Sequence, residues 1–400
     1  MAKAAECRWW LNTNMASPRF PRSFWVLSVG ALLFFVSFNL VLPELPSHLR
    51  ELKGGEYLGL IIPVFSLSAL ISRPLSGYIT DQWGRKWALM AGTVFCILAG
   101  LLYPFSGSVW FFFMVRMIHG FSTGFTPTGF VAYAGDVVEP AHRGKAMGWL
   151  GLFNNAGTSI GYGVGAWIVA DFGRNGLYTA TALSAIMALI LFSRLPETFK
   201  SAQPRALEFK VSRWLHRESL LPALLMLLVC VSLGSVLTIM PDYTEFRGFE
   251  NKGLFLSLYI AASLFVRLIS GHISDRFGRP LSVAIGTGFQ ILSTAVLIGV
   301  SQSWGFWAGA ILYGLGQGFN APALFAWSSD LSSQENRGSA TAMLFMALET
   351  GIIIGGLAAG FLVTRGLGYS SAFAVNGLCF VLAFGLALQE TLKTRNRARN

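Results

Sequence analysis

Hydrophobic residues dominate this chain in long runs broken by short polar segments. Each run reaches the roughly 20 residues that a helix needs to cross a hydrocarbon core about 30 Å thick. Backbone groups in lipid must satisfy one another, so uninterrupted runs of this length predict helices, not barrel strands. Spans 1 to 6 are predicted at 23–49, 56–79, 86–106, 108–137, 144–171 and 174–195. A polar linker, 196–217, separates them from spans 7 to 12 at 218–245, 252–274, 281–302, 304–331, 338–365 and 368–390. Basic tails, 1–22 and 391–400, close the chain, and the two sets form six-helix bundles at 23–195 and 218–390. The fold class is all-α, with twelve transmembrane helices.

One polar interruption occurs twice. Gly77-Tyr78-Ile79-Thr80-Asp81-Gln82-Trp83-Gly84-Arg85-Lys86 follows span 2, and Gly271-His272-Ile273-Ser274-Asp275-Arg276-Phe277-Gly278-Arg279-Pro280 follows span 8, 194 residues later. The same offset aligns Arg73 with Arg267, Gly120 with Gly314, Asp136 with Asp330 and Gly161 with Gly355. Charged loop residues keep the register along with the glycines, which chance alignment of glycine-rich helices does not produce. The chain is therefore a same-direction duplication of six spans.

Composition sharpens this picture. The chain is 54% hydrophobic and only 12% charged, where a soluble average is about a quarter charged. Its net charge of +11 lies in short loops and tails, which reads as topology and not as nucleic-acid binding. By the positive-inside rule both termini and the linker are expected in the cytoplasm, in an inner (plasma) membrane, with only Arg50, Lys53, Arg174, Arg247, Lys252 and Arg365 on the opposite side. Cys7, Cys96, Cys230 and Cys379 lack ligand-like spacing, so neither a disulfide framework nor a metal site is suggested, and no cofactor is called for. No cleavage site follows the first apolar run, so a removed signal peptide is not expected, and Met15 is an alternative start. Short loops without His/Cys/Asp groupings argue against an enzyme. The absence of a G-x-x-x-x-G-K-[ST] loop argues against ATP-driven pumping.

These motifs resemble those of the major facilitator superfamily over nearly the whole chain. The G-x-x-x-D-x-x-G-R-K turn is its signature, and Arg116-Met117-Ile118-His119-Gly120 resembles the R-x-x-Q-G motif of drug:proton antiporters. Pro43-Glu44-Leu45-Pro46 and Leu195-Pro196-Glu197-Thr198 resemble further efflux motifs. Tyr162 stands where the span-5 antiporter motif expects a proline, among Gly157, Gly161, Gly163 and Gly165, which leaves obligatory antiport in doubt.

The resemblance implies a conformational latch of Gly77, Asp81, Arg85, Asp136, Gly271, Asp275, Arg279 and Asp330. Gly77, lacking a side chain, lets another helix approach. Asp81 meets the start of span 11 near Gly338, where unpaired N–H groups favour an anion, and Arg85 pairs with Asp136. By symmetry Asp275 meets span 5 near Gly144, and Arg279 meets Asp330. Such contacts would form only while the cytoplasmic ends are together. The plainer alternative is that Arg85 and Lys86 are only topology signals, but the duplicated aspartates contribute little to topology.

Four residues are candidates for proton coupling. Arg116 carries a charge costing at least about 2.5–3.5 kcal/mol inside the bilayer, so it faces a cavity or partner, or else snorkels. Glu44 is the plausible acid at its depth. His119, one turn deeper, either titrates near neutral pH or is a hydrogen-bonding packer. Glu349 lies about 16 Å along span 11, where loss of hydration disfavours its charge, as either a coupling carboxyl or a structural acid. Asp242 reads as a solvated loop-end charge. The family fold implies a central cavity lined by Asn39, Thr123, Asn154, Asn155, Gln317, Asn320 and Trp327, together with aromatic surface from Phe34, Phe35 and Phe38, suited to an amphipathic or weakly cationic solute. The expectation is a monomeric, proton-coupled exporter of a drug-like compound or small metabolite. Proton-coupled uptake of a sugar or metallophore is the alternative.

Overall fold

A computed structural model describes residues 20–139, 142–198, 217–332 and 337–397, although the side chains of Asp81, Gly144, Leu268, His272, Arg337, Gly338, Ser339, Arg395 and Arg397 are outside that description. Among the described residues every regular element is helical. Span 1 is Arg22–Leu40, continued past Pro43 by a short 3-10 turn, Leu42–Glu44, and the helix Leu45–Glu51. Span 2 enters through Gly55–Leu60 and runs as Ile61–Gln82; span 3 is Arg85–Leu102 and span 4 Val109–Val137. Spans 5 and 6 form one run, Arg143–Ser193, broken at Gly173, whose φ of 67° no helix accommodates. Spans 7 to 12 are Leu220–Phe246, Leu254–Phe277, Arg279–Gly299, Ser303–Leu331, Arg337–Thr364 and Gly368–Arg397.

Eight helices among the described residues are long and apolar enough to cross a membrane by themselves, and a ninth qualifies when the bent span 8 is taken as one. The run from Lys145 to Ser193 counts once there, although its 49 residues are about twice a bilayer's thickness. Spans 4 and 10 are long enough, at 29 residues each, but fall short in apolarity. They are repeat partners, and both carry polar side chains into the protein interior. Together these make the twelve-helix arrangement.

The repeat is visible in the packing. A Cβ on Gly120 would collide with the Phe65 carbonyl of span 2, and one on Gly314 with the Tyr259 carbonyl of span 8. Phe65 and Tyr259 are themselves repeat partners, so span 4 lies on span 2 as span 10 lies on span 8. Small residues permit this close approach of backbones where lipid supplies no hydrophobic drive.

The first six spans meet the last six at the end away from the chain termini. There a Cβ on Gly59 would stand 3.0 Å from the Cα of Gly360. The Ser257 hydroxyl donates to the Ser159 carbonyl at 2.6 Å, and the Asn251 amide donates to the Gly163 carbonyl at 2.8 Å. At the terminal end nothing among the described residues lies within 4 Å of a Cβ built on Gly77, Gly148, Gly151 or Gly271. Among the described residues the molecule is closed at the loop end and open at the end bearing its termini.

Candidate functional site

The closed end is held by charges. Arg50, following span 1, makes a two-pronged contact with Asp242 of span 7, through Nη1 to Oδ1 at 2.9 Å and through Nη2 to Oδ2. Lys252, before span 8, donates to the Ser47 hydroxyl at 2.6 Å and lies 3.8 Å from Glu44 and 3.4 Å from Glu245. Asp242, at 6% exposure, is thus a buried partner between the two sets of spans, not a solvated loop-end charge. Glu44 is likewise engaged with Lys252 and not with Arg116. Their sequence separation hid both pairings, since residues from opposite halves meet only in the folded chain.

Deeper in the membrane, among the described residues, one ion pair joins the two sets. Arg73 of span 2 donates from Nη2 to the Glu349 carboxylate of span 11 at 2.6 Å. Glu349 is 8% exposed and Arg73 22%, and the guanidinium also lies over the Phe345 ring at 4.6 Å. The Coulomb attraction of such a pair offsets the desolvation of both ions only when the geometry is close, as here. Sequence depth singled out Glu349, whereas Arg73 was visible only as a member of the repeat.

Arg116 and His119 lie elsewhere. Arg116 is fully buried within the first six spans, donating from Nε to the Ile61 carbonyl at 3.2 Å and from Nη1 to the Tyr103 hydroxyl at 3.5 Å, over the Phe65 ring. Its Nη2 has no acceptor, and among the described residues no carboxylate pairs with it. His119 is also fully buried, between the Tyr103 hydroxyl at 3.4 Å and the Cys96 sulfur at 3.5 Å. Both face into their own bundle, because the small residues of span 4 bring spans 2 and 3 close on that side.

The predicted cavity lining divides similarly. Gln317 borders an open space near span 8, and Thr123, Asn154 and Asn155 are half-buried. Asn39 instead bonds to the Phe35 carbonyl at 2.7 Å and to Thr158 at 3.3 Å, packing span 1 on span 5. Asn320 donates to Gln290 at 2.7 Å between spans 9 and 10, and Trp327 is buried in the apolar core. Amide groups inside a membrane protein serve as glue between helices as readily as they line a cavity.

The repeated turn departs from its expected geometry. Arg85 pairs with Asp136 at 3.0 Å and Arg279 with Asp330 at 2.9 Å, although the terminal ends of the two halves are apart. Each pair lies inside one half, so rocking the halves need not break it. Asp275 pairs with Arg279 in its own turn instead of reaching span 5, and Gly77 and Gly271 face open space. The side chain of Asp81 and the starting residues of span 11 fall outside the described residues. Gly84 and Gly278, with φ of 126° and 98°, take the left-handed bend that turns the chain into spans 3 and 9. Glu197, after span 6, closes the first copy by accepting from the Arg85 and Lys86 amides at 3.0 and 3.1 Å, at the exposed start of span 3.

Curated proteins are similar to this chain in sequence, and solved structures are similar to it in fold. The chain is 24% identical over 354 residues to the quinolone resistance protein NorA of Staphylococcus aureus (strain MRSA252), covering 85% of this chain and 90% of that one. It is 24% identical over 384 residues to multidrug resistance protein 2 of Bacillus subtilis (strain 168), covering 91% and 94%. Among solved structures, the human organic anion transporter MFSD10 (TETRAN) superposes with a TM-score of 0.73 at 18% identity over 93% of this chain and all of that one. A variant of the nucleoside transporter NupG superposes with a TM-score of 0.75 at 16% identity, covering 92% and 99%. At these identities the two structures speak for the fold. The family model described as Major Facilitator Superfamily matches residues 27–286 and 251–399, so this multi-pass membrane protein, a transporter of small molecules and not an enzyme, belongs to that superfamily.

Proposed function

We propose that the chain is a proton-coupled exporter of small organic molecules, working as a monomer in the inner membrane with both termini in the cytoplasm. The observation that carries the coupling is the Arg73–Glu349 pair, which links the two halves within the membrane at 2.6 Å. With the termini cytoplasmic, the open end faces the cytoplasm and the pair belongs to the inward-facing state. Glu349 is then ionised and ready for solute to enter from inside. In the outward-facing state a proton from outside neutralises Glu349, releases Arg73 and accompanies the return. One proton crossing about 100 mV supplies about 2.3 kcal/mol, equivalent to a roughly fifty-fold solute gradient. The relatives named for quinolone and multidrug resistance support a drug-like cargo.

The loop-end pairs, Arg50–Asp242 and Lys252–Glu44, hold the gate shut and must open as the halves rock for release. This reading moves Glu44 from coupling to gating. Uptake is the second reading, motivated by Tyr162, a buried residue that stands where the antiporter motif expects a proline and whose carbonyl packs against Gly253 in the closed end.

A growth screen of a deletion strain against toxic compounds identifies a cargo, and everted vesicles then test coupling. Export requires accumulation driven by an inward-acid gradient in everted vesicles; uptake requires accumulation in right-side-out vesicles. Glu349→Gln is expected to reduce gradient-driven accumulation more than about tenfold, the factor that 1.4 kcal/mol commands. An unchanged pH profile in that variant ends the coupling assignment.

A further inference from the structure

Spans 2 and 8 carry one arginine each at the same repeat position, Arg73 and Arg267, and their surroundings differ. Arg73 is neutralised by Glu349 from the opposite half. The position of span 5 that matches Glu349 is Asn155, an amide, so the duplicated arginine has lost its carboxylate counterpart. Among the described residues no ion pair and no hydrogen bond engages Arg267, and its Nε is buried without an acceptor. It lies 13 residues beyond the start of span 8, about 20 Å along the helix axis and away from either interface. A guanidinium at such depth is expensive unless water or a ligand fills the space beside it.

That space exists. A cavity of about 130 Å³ is bordered by Arg267, Tyr259 and Ser263 of span 8, Cys230 and Leu233 of span 7, and Gln317 of span 10. Among the described residues Arg267 is the one charged group on its wall, and most of the rest is apolar. Sites for a whole drug-sized molecule run from about 300 Å³ upward, so this one accommodates one end of a solute.

We propose that Arg267 binds a carboxylate, or a comparable anionic group, of the transported molecule, while the apolar walls hold the adjoining ring or chain. The guanidinium fork matches a carboxylate in two parallel hydrogen bonds, and Gln317 and Ser263 add polar groups at the rim. The inference rests on the transport reading and names its substrate class: amphipathic organic acids or zwitterions, in place of the weakly cationic solutes that the sparse charge of the sequence suggested. The two arginines then divide the work. Arg73 answers to the protonation of Glu349, and Arg267 answers to the cargo.

The test uses purified full-length protein in phosphatidylcholine nanodiscs, titrated with naphthalene-2-carboxylate and with its neutral amide, naphthalene-2-carboxamide, following tryptophan fluorescence. The wild type is expected to bind the acid at least about tenfold tighter than the amide, the difference one charge-assisted contact commands. Arg267→Gln is expected to abolish that preference, bringing the acid's affinity down to that of the amide, with far-UV circular dichroism and thermal unfolding like those of the wild type. Arg267→Lys is expected to keep a reduced preference, because an ammonium retains the charge and loses the fork. Wild-type unfolding behaviour of the Gln variant demonstrates that it is folded. Equal affinities in the wild type, no binding of either probe, an undiminished preference in Arg267→Gln, or displacement of the acid by phosphatidylglycerol but not by a second arylcarboxylate overturns the assignment. Proton-driven export of neutral probes without any preference for the acid ends this inference and leaves the transport reading intact. Charge-selective binding in a protein that does not couple to protons does the reverse.

Discussion

Removing one member of the Arg73–Glu349 pair should cost more than removing both. Arg73→Gln strands a carboxylate that is 8% exposed, and breaking a buried pair in this way costs about 3–5 kcal/mol. Arg73 itself is 22% exposed toward the opening, so the lower end of that range is expected. The double variant Arg73→Gln with Glu349→Gln should recover most of the loss, since two neutral amides leave no buried charge unpaired. Thermal unfolding of the four proteins in one detergent measures this, and additive losses would show that the two side chains do not act as a pair. Glu349 was legible in the sequence because an acid near the middle of an apolar run is rare. Its partner was not legible, because 276 residues separate the two and nothing local couples them. Arg116 and His119 show the converse. Residue type and depth are readable, but the face of span 4 on which a side chain stands depends on how spans 2 and 3 pack. That packing buries both residues against Tyr103 and Cys96.

The two copies of the charged turn look alike in sequence and differ in their supports. In the first, Glu197 caps the start of span 3, Lys86 donates to the Ser193 carbonyl at 2.6 Å, and the Thr198 hydroxyl reaches Asp136 at 2.8 Å. Three segments of the first bundle are thereby tied together at one end. In the second copy Pro280 stands in place of Lys86, Thr391 stands at the register position of Glu197, and the neighbouring acid Glu390 pairs with Lys393 on its own helix at 3.4 Å. The duplication kept the Arg–Asp clamp and lost the carboxylate cap. Glu197→Ala is therefore expected to weaken the first turn by about 1 kcal/mol, as loss of a helix cap does, and to lower transport, with Glu390→Ala near neutral. The same reasoning predicts that Asp81→Asn impairs transport more than Asp275→Asn, whose carboxylate pairs with Arg279 in its own turn. Initial rates in vesicles, normalised to protein in the membrane, decide both comparisons. Equal losses for the two aspartates would mean that the copies work symmetrically despite their different supports. Helix positions and the duplication were readable from hydropathy and register alone. The cap was not, since the short motif after span 6 reveals its role only when it folds back on span 3.

Rocking between two closed ends requires that the contacts of one end be nearly matched by those of the other, so modest changes should shift the balance. At the loop end the matching contacts are Arg50 with Asp242 and Lys252 with Glu44, both spanning the two halves. At the terminal end, among the described residues, Gly77 and Gly271 face space that the opposite state would have to close. Asp242→Ala removes the acceptor of the two-pronged contact and leaves Arg50 without it, which penalises only the state seen here. A differential loss of about 1.4 kcal/mol changes the ratio of states tenfold. Spin labels at Trp83→Cys and Phe277→Cys, exposed repeat partners at the terminal end, report that ratio as a distance distribution. The expected result is growth of a shorter-distance population in Asp242→Ala, and a similar shift in Arg50→Ala. The pair Arg50→Ala with Asp242→Ala should shift no further than either single change, because each already breaks the same contact. Reversing the pair, Arg50→Asp with Asp242→Arg, should restore the longer distance if charge complementarity holds the gate. Unchanged distributions in all four would place the closing free energy in the backbone contacts of Gly59 with Gly360 and Ser159 with Ser257, and the ionic pairs would then serve only to fix the register of a gate closed by packing.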